Sequence, residues 1–398
     1  MRGRADRPKG RRGATLVLSA VMMTAILGFV AVAVDTTVLA VARHQLGIAA
    51  DAGALAGASA LADERRLNPN MSLTTIFTSA HSRSQQFVEQ NTVLGHKPVV
   101  VSNPFNSPSG DVVLGYIANP LDPSSPFVSD MSQAANFNSV QIRAARSEAR
   151  GGIVPAFFAR AIGIDGAAVR VRGTATAMNY TIAGFSSEPS RNADLLPFVL
   201  DRLTYEAMIN PYISTIDQYT YNAETKRVTN GSDGIKESQM FPVKNGYPGN
   251  WGSANIGVTN NSTNTLRAQI EHGVTPQQLS MYPGGELTLH QTDAQGKPYV
   301  MLGGNPGISA GMKSALEAII GQPRTLPIFD PNGSGGNGNN TQYKVIGFAS
   351  VRVVAVNFQG NPKYVIVQPA LTRDPTAIPG KVQTGWTAGG LIRLNLSR

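Results

Sequence analysis

The most prominent pattern along the chain is an uncharged apolar run over residues 14–34. Crossing a hydrocarbon core about 30 Å thick takes roughly 20 apolar residues in a helix. The run is long enough, and it predicts a transmembrane anchor over residues 13–35. The rest of the chain is then the cargo of that anchor, which disfavours cytosolic metabolic enzymes.

The helical pattern continues beyond the apolar run. Alanine and leucine, both strong helix formers, dominate as far as Asn68-Pro69, where the pattern ends. A continuous helix over residues 14–66 would be about 80 Å long at 1.5 Å per residue. We expect the first half to lie in lipid and residues 36–67 to form an extracytoplasmic stalk.

The stalk has small and apolar residues at three- and four-residue steps. Val41 and Ile48 belong to this stripe, which predicts a packed helix face. Ala49, Gly53 and Gly57 are four residues apart and form a smooth groove that lets another backbone approach closely. Two occupants fit the groove: the protein's own globular domain, or a partner helix in an assembly.

Beyond the stalk, periodicity predicts a small α+β module over residues 68–178, a polar linker over residues 179–193 and a mostly-β domain over residues 194–398. The fold class is therefore α+β, with a long N-terminal transmembrane helix that continues into the stalk. The predicted elements are a helix from Ser72 to Val88, strands over 99–101, 111–116, 139–144 and 169–177, a short helix over 156–162, a helix over 312–320, a hairpin of 343–356 and 363–368 through Gly360-Asn361, and turns at Asn230-Gly231 and Asn245-Gly246.

The net charge of +9 is concentrated at the N-terminus. Residues 1–12 carry six basic residues against one acidic residue, about half of the excess, and no basic run follows. Basic residues stay on the cytoplasmic side of a membrane span. We therefore expect a single-pass protein of the inner membrane, with a basic cytoplasmic tail, the bulk periplasmic or extracellular, and no nucleic acid as partner. The chain has no cysteine, which excludes disulfides and Cys-ligated metal centres.

Three kinds of N-terminal processing compete with a retained anchor. Residues 31–33 match the small-x-small cleavage pattern of a secretory signal, although the apolar run exceeds a typical h-region. Residues 11–12 are a twin-arginine pair without the apolar residues expected after it. A prepilin cut after Gly13 normally comes with Glu at the fifth mature position, which is Leu18 here. A retained anchor is the leading interpretation, and a cleaved signal stays open.

The residues that follow the span carry a family resemblance. Asp35, Arg43, Leu46, an Ala-Asp-Ala step at Asp51 and an Ala-rich tail over residues 54–58 resemble the N-terminal signature of Tad-type Flp pilus-assembly proteins, the TadE/TadG-like family. The resemblance covers roughly residues 10–65. The order of elements after the stalk is also similar, which implies a module packed against the anchor helix.

The sequence departs from this signature at Gly47 and Gly53, where glutamine and alanine are usual. Each extra glycine costs a helix interior up to about 1 kcal/mol. The resemblance implies a non-enzymatic assembly component, without a cofactor, whose partners are the lipid bilayer and other Tad/Flp pilus-assembly proteins. The predicted assembly and helix-packing residues are Asp35, Arg43, Leu46, Ala49, Asp51, Gly53 and Gly57.

Ser309 is the centre of a G-x-S-x-G motif that precedes a predicted helix. In the α/β-hydrolase fold, the triad order is Ser, acid and then His. The last histidine of this chain is His290, so none follows Ser309. The leading interpretation is that Ser309 caps the helix.

Metal sites have weaker support. The five histidines are far apart, and no pair has H-x-x-x-H spacing. The segment from Asp330 to Gly335 begins like a calcium loop, but Thr341 stands where the bidentate Glu belongs. Many TadG-like proteins carry a von Willebrand A domain with an Asp-x-Ser-x-Ser metal site. The nearest match, at Asp130 and Ser132, lacks the second serine, so no metal is predicted.

Three hypotheses follow. The first is a structural component of a Tad-type Flp pilus or related secretion machinery. The second is a membrane-tethered extracytoplasmic module that binds a glycan or envelope partner. The third is a tethered hydrolase that uses Ser309. No small-molecule substrate is evident from the sequence.

Overall fold

A computed structural model of the chain describes residues 12–210, 212–213, 215–241, 251–259, 261–307, 309–360, 363–383 and 385–397. The basic tail before Arg12, the turn predicted at Asn245-Gly246 and Asn361 of the predicted hairpin turn lie outside the described residues.

The elements have the following bounds. The α-helices are α1 (Arg12–Leu61), α2 (Thr74–Gln90), α3 (Arg202–Ile209), α4 (Thr263–His272), α5 (Pro276–Leu279) and α6 (Lys313–Ala318). Short 3-10 helices lie at Glu64–Leu67, Met131–Asn136, Ala159–Ile162, Pro283–Gly285, Ala310–Met312 and Gly338–Asn340. The strands are β1 (Val112–Gly115), β2 (Ser139–Arg146), β3 (Val154–Pro155), β4 (Gly166–Ala167), β5 (Val169–Ser186), β6 (Phe198–Asp201), β7 (Tyr219–Asn222), β8 (Arg227–Asn230), β9 (Ser238–Met240), β10 (Trp251–Ala254), β11 (Glu286–Thr288), β12 (Gln291–Thr292), β13 (Pro298–Asn305), β14 (Pro323–Gly335), β15 (Thr341–Asn357), β16 (Tyr364–Pro369), β17 (Ala377–Val382) and β18 (Leu391–Leu396).

The N-terminal helix α1 runs without a break from Arg12 to Leu61. At 1.5 Å per residue it is about 75 Å long. It ends before residue 66, where the sequence pattern placed its end. The reason is local: the Asp63 side chain accepts a hydrogen bond from the Arg65 backbone N–H at 2.9 Å and starts a separate 3-10 turn.

The outer half of α1 packs against α2, β2 and β5. Small residues let these elements come close, so they form the buried face, whereas Val41 and Ile48 are 41% and 48% exposed. The predicted stripe was therefore wrong at these two positions. The buried face consists of Ala42, Leu46, Ala49, Ala50, Gly53, Ala54, Gly57, Ala58 and Leu61.

Fourteen of the described strands join into one sheet. Its path is β1-β2-β5-β15-β14-β6-β10-β13-β12, and β9, β11, β16, β17 and β18 attach along it. The β14–β6 pair is parallel and the other pairs are antiparallel. Because β13 also pairs with β15, the strands β15, β14, β6, β10 and β13 close into a ring. The α+β class is confirmed.

The linker predicted over residues 179–193 is wrong for residues 179–186, because residues 169–186 form the single strand β5. The start of β5 pairs with β2, and its end pairs with β11 and β17. Within the supposed linker, Tyr180, Ile182 and Phe185 are buried, and polar or small residues alternate with the first two. One strand therefore belongs to both the first module and the C-terminal region.

Most of the other predicted elements are confirmed with shifted ends. The predicted hairpin corresponds to β15 and β16, which pair antiparallel. Residues 99–101 do not form a strand; the Val101 N–H donates instead to the Asp111 carboxylate at 2.7 Å. The short helix predicted over 156–162 is limited to the 3-10 turn at Ala159–Ile162.

Two aromatic clusters fill the C-terminal region. Phe198 stacks on Trp251 with ring centroids 4.3 Å apart, and Phe329 meets Tyr343 edge-on at 5.0 Å. All four side chains are buried. The two pairs belong to two separate hydrophobic cores of the C-terminal region, and the core around Phe198 and Trp251 also includes residues of α4 and α6.

Candidate functional site

The two halves of α1 lie in opposite environments. From Thr15 to Val34 the apolar side chains are largely exposed, with Phe29 at 78%, whereas from Ala42 onward one helix face is buried. Within the described part of the chain, this helix is the one that is long and apolar enough to cross a membrane. An exposed apolar surface of this extent marks a membrane or protein contact. The first half is a candidate membrane span, and the second is the stalk.

The small-residue groove of the stalk faces the protein's own module. A Cβ atom on Gly53 would strike Val88 and lie 2.9 Å from the Ser84 carbonyl oxygen, both on α2. A Cβ atom on Gly57 would lie 3.1 Å from the methyl groups of Val140 on β2. In this structure the occupants of the groove are therefore α2 and β2, the first of the two alternatives considered above.

The other predicted stalk residues divide between core and surface. Leu46 and Ala49 are fully buried, and Arg43 is exposed. Asp51 is half-buried where β5 crosses the helix: a Cβ atom on Gly173 would lie 2.7 Å from the Asp51 carboxylate. Gly173 thus permits a close crossing of strand and helix that no sequence signal indicated.

Asp35, the first charged residue after the span, is bound by backbone amides. Its carboxylate accepts hydrogen bonds from the N–H groups of Phe157 at 2.8 Å, Phe158 at 3.2 and 3.3 Å, and Ala159 at 2.8 Å. Asp35 therefore attaches a loop of the first module to α1 at the point where the apolar run ends.

This loop, residues 156–165, is here named the membrane-proximal loop. Strands β3 and β4 pair at its base, and the Ala156 N–H donates to the Asp165 carbonyl at 3.0 Å. Gly163, at φ 85°, ends the 3-10 turn in the left-handed region. The loop exposes four large apolar side chains, namely Phe157, Phe158, Ile162 and Ile164, which are 66%, 51%, 78% and 51% exposed.

A polar clamp lies at the other end of the stalk. The Glu64 carboxylate accepts hydrogen bonds from the Arg352 guanidinium at 2.6 Å and from the Leu371 N–H at 2.9 Å. Arg352 also donates to the Gly321 carbonyl at 2.8 Å, and its guanidinium lies 3.5 Å from the Tyr221 ring centroid. We call this set the Glu64 clamp. It joins the turn after α1 to the C-terminal strands.

Arg66 completes the end of the stalk. Its guanidinium donates to the carbonyls of Leu61 at 3.2 Å, Phe137 at 2.7 Å and Ala135 at 2.7 Å. It also lies 4.7 Å from the Trp386 ring centroid, within cation–π range. Burial lowers the pKa of the Arg66 guanidinium. The three carbonyls replace its lost hydration and satisfy a terminal carbonyl of α1.

Among the described residues, the hydrogen-bond partners of the Ser309 hydroxyl include no histidine or carboxylate. The Ser309 Oγ accepts a hydrogen bond from the Gly311 N–H at 3.4 Å and lies 3.2 Å from the Thr263 Oγ1. Activating a serine nucleophile requires an adjacent general base, which a threonine hydroxyl does not supply. In this structure Ser309 is the N-cap of the 3-10 turn at Ala310–Met312.

The candidate metal-binding carboxylates accept hydrogen bonds from backbone N–H groups of their own loops. The Asp130 carboxylate caps a 3-10 helix through the Ser132 N–H at 2.9 Å, and the Asp330 carboxylate accepts the Asn332 N–H at 3.0 Å. Across the described residues, no three His, Cys, Asp or Glu side chains are grouped closely enough to hold a metal ion.

A cleft of about 1,140 Å³ opens between the turn after α1 and the C-terminal strands. Phe348 and Trp386 contribute to its largely apolar walls. Of its basic lining residues, Arg66 and Lys236 donate to backbone carbonyls, the latter to Asn210 at 2.7 Å. The described lining residues include no carboxylate or imidazole.

Comparisons with known families agree with the geometry of the stalk. The family model described as Flp pilus-assembly TadE/G-like matches residues 13–60, and a second model, Tad-like Flp pilus-assembly, matches residues 56–175. Residues 13–175 belong to the Tad-type Flp pilus-assembly family. These are assembly families rather than enzyme families, and they support a role in pilus assembly. No match was found among curated proteins or among solved structures.

The Tad-type region coincides with α1 and the module packed on it. It ends inside β5, and the strands of the ring lie beyond it. Sequence reasoning predicted the groove but missed the attachments at the two ends of the stalk, the membrane-proximal loop and the Glu64 clamp. The charged run at residues 63–66 was a signal for the clamp, but its partner Arg352 is far away in the sequence.

Proposed function

We propose that this protein is a structural component of Tad-type Flp pilus assembly, held in the cytoplasmic membrane by residues 13–35 with the bulk of the chain outside. The observation that carries the proposal is the division of α1. Its apolar first half is exposed along its length, and its second half is sealed into the Tad-type module by small residues. A helix of this kind needs lipid around one half and protein around the other.

The predicted stalk residues contribute differently to this function. Leu46, Ala49, Gly53 and Gly57 hold the module on the helix. Contacts with other pilus-assembly proteins then fall on the opposite face of the stalk, where Val41, Ile48 and the charged Arg43 are exposed. No catalytic step and no cofactor form part of the proposal.

The lack of native cysteine makes a topology test clean. We would introduce Gly3→Cys in the basic tail and Gln295→Cys in an exposed turn, and treat spheroplasts with a membrane-impermeant maleimide. The proposal expects labelling of Gln295→Cys in intact spheroplasts and of Gly3→Cys after lysis. The reverse pattern, or a soluble chain trimmed after Ala33, contradicts the retained anchor.

The assembly role is tested in cells. Deletion of the gene is expected to abolish surface pili, and the full-length chain supplied in trans is expected to restore them. Normal piliation in the deletion strain would contradict the proposal.

The cleft beside Trp386 supports a second candidate, a tethered binding module for an envelope glycan. Soluble peptidoglycan fragments entering the cleft would change the emission of Trp386, while Trp251 is buried elsewhere. A saturable change that is lost in Trp386→Phe favours this function. An unchanged spectrum removes it.

A further inference from the structure

We propose that the membrane-proximal loop, residues 156–165, inserts its apolar side chains into the outer interface of the bilayer and gives the module a second attachment beside α1. This inference rests on the proposed function, since it needs α1 to span the membrane. The observations that support it concern the loop and Asp35, and they do not depend on the groove or on the Glu64 clamp.

The depth of the loop is set by Asp35. Residues 15–34 extend about 30 Å as a helix, which matches the thickness of the hydrocarbon core. Asp35 follows directly, so its carboxylate lies where hydrocarbon gives way to headgroups. The backbone N–H groups of Phe157 and Ala159 are each 2.8 Å from that carboxylate. The loop is thereby held at the level of the interface.

The composition of the exposed loop fits an interfacial segment. Phe157 and Ile162 are 66% and 78% exposed, although large apolar side chains normally find cover in a soluble fold. Arg160, also exposed, provides a positive charge that anionic headgroups attract. Interfacial segments combine such aromatic and aliphatic residues with basic ones and lie about 5–10 Å deep at the headgroup boundary.

The occupant of this apolar surface follows from continuity. The exposed loop residues adjoin the exposed apolar half of α1, because Asp35 joins the two surfaces. A single bilayer covers both at once. A partner protein or a second copy of the chain would have to cover the loop while lipid covers the helix beside it.

The test uses the full-length chain in vesicles of brominated phosphatidylcholine, whose bromines quench tryptophan on contact. Phe157→Trp reports the loop, and Phe29→Trp reports the span. Phe105→Trp is the matched control, because Phe105 is 90% exposed but lies far from the membrane. The signal of wild type, with Trp251 and Trp386, is subtracted.

The position of the control follows from contacts along the stalk. The Asn106 side chain accepts a hydrogen bond from the Leu114 N–H at 2.7 Å, and Leu114 pairs with Val140. Val140 lies against Gly57, which is twenty-two residues beyond Asp35 on the same helix. Gly57 is about 33 Å along the helix axis from the end of the span, and Phe105 belongs to the part of the module that packs there.

The expected result is quenching of the added emission for Phe157→Trp, stronger with bromines near the headgroup than near the chain ends. Phe29→Trp should be quenched by lipids brominated at either position, and Phe105→Trp by neither of them. Quenching of Phe29→Trp without quenching of Phe157→Trp overturns this inference and leaves the anchor intact. Blue-shifted but unquenched emission of Phe157→Trp also overturns it, because protein then covers the loop. No quenching of Phe29→Trp overturns the anchor itself.

Discussion

Replacing Gly53 by alanine tests the close packing between stalk and module. The added Cβ atom would lie 2.9 Å from the Ser84 carbonyl oxygen and would strike Cγ2 of Val88. Neither neighbour yields easily, because one atom is helix backbone and the other belongs to a β-branched side chain with one preferred rotamer in a helix. Gly47 is the matched control, since it lies in the same helix and a Cβ atom there meets nothing within 4 Å.

The magnitude follows from two opposing terms. Alanine is favoured over glycine in a helix interior by about 1 kcal/mol, at either position. Gly47→Ala should therefore raise the free energy of unfolding by up to about 1 kcal/mol. At Gly53, overpacking costs about 1–3 kcal/mol, which cancels or exceeds that gain. We expect Gly47→Ala to be the more stable variant by about 1–3 kcal/mol.

The assay is denaturant unfolding of the full-length chain in detergent, followed by tryptophan fluorescence, since Trp386 lies against Arg66 at the end of the stalk. Equal m-values would show that both variants report the same transition. If Gly53→Ala proves as stabilising as Gly47→Ala, the contact between α1 and α2 is loose. The groove would then be available to a partner helix, and the internal packing described above would be refuted.

Two further perturbations test the clamp and the module. Arg352→Met should lower the free energy of unfolding by about 2–4 kcal/mol, because the partly buried Glu64 carboxylate loses its charged partner. The control Arg202→Met breaks the exposed pair with Glu206 and should lower it by less than about 0.5 kcal/mol. Equal losses in the same unfolding assay would show that the Glu64 clamp stabilises the fold no more than an exposed ion pair does. Burial lowers the pKa of the His81 imidazole, so the folded state disfavours the proton that the unfolded chain accepts below pH 6.5. Stability should then fall as the pH drops below 6.5, and His81→Phe should lose less stability over that interval; an unchanged pH profile in the variant would exclude His81 as the source.

The stalk and its groove could be predicted from the sequence because their signals are local. The apolar run and the small residues at four-residue steps lie within one helix, so the period alone indicates the faces. The same reasoning failed for Val41 and Ile48, which were assigned to the packed stripe. A search for apolar periodicity assigns large apolar residues to the buried face, whereas the interface between α1 and α2 consists of small residues that let α2 approach.

The attachments at both ends of the stalk could not be predicted, because each joins residues far apart in the chain. Asp35 binds backbone amides of residues 157–159, and backbone amides carry no sequence signature. Glu64 binds Arg352, one of many arginines in the chain. The strand β5 was mistaken for a linker where asparagine, threonine and glycine interrupt it, although its alternate side chains are buried.

The two attachments hold the stalk to the rest of the protein at both of its ends. Asp35 fixes the module to α1 at the end of the span, and the Glu64 clamp fixes the C-terminal strands to the opposite end. Residues 36–61 between them rise about 40 Å as one helix. Because β5 replaces the first part of the expected linker, one continuous strand runs from the first module to the ring of strands, where it pairs with β15. The first module and the ring are thus joined by a shared strand as well as by the stalk. Such an arm is consistent with the proposed assembly component, because it would hold a surface at a fixed height above the membrane.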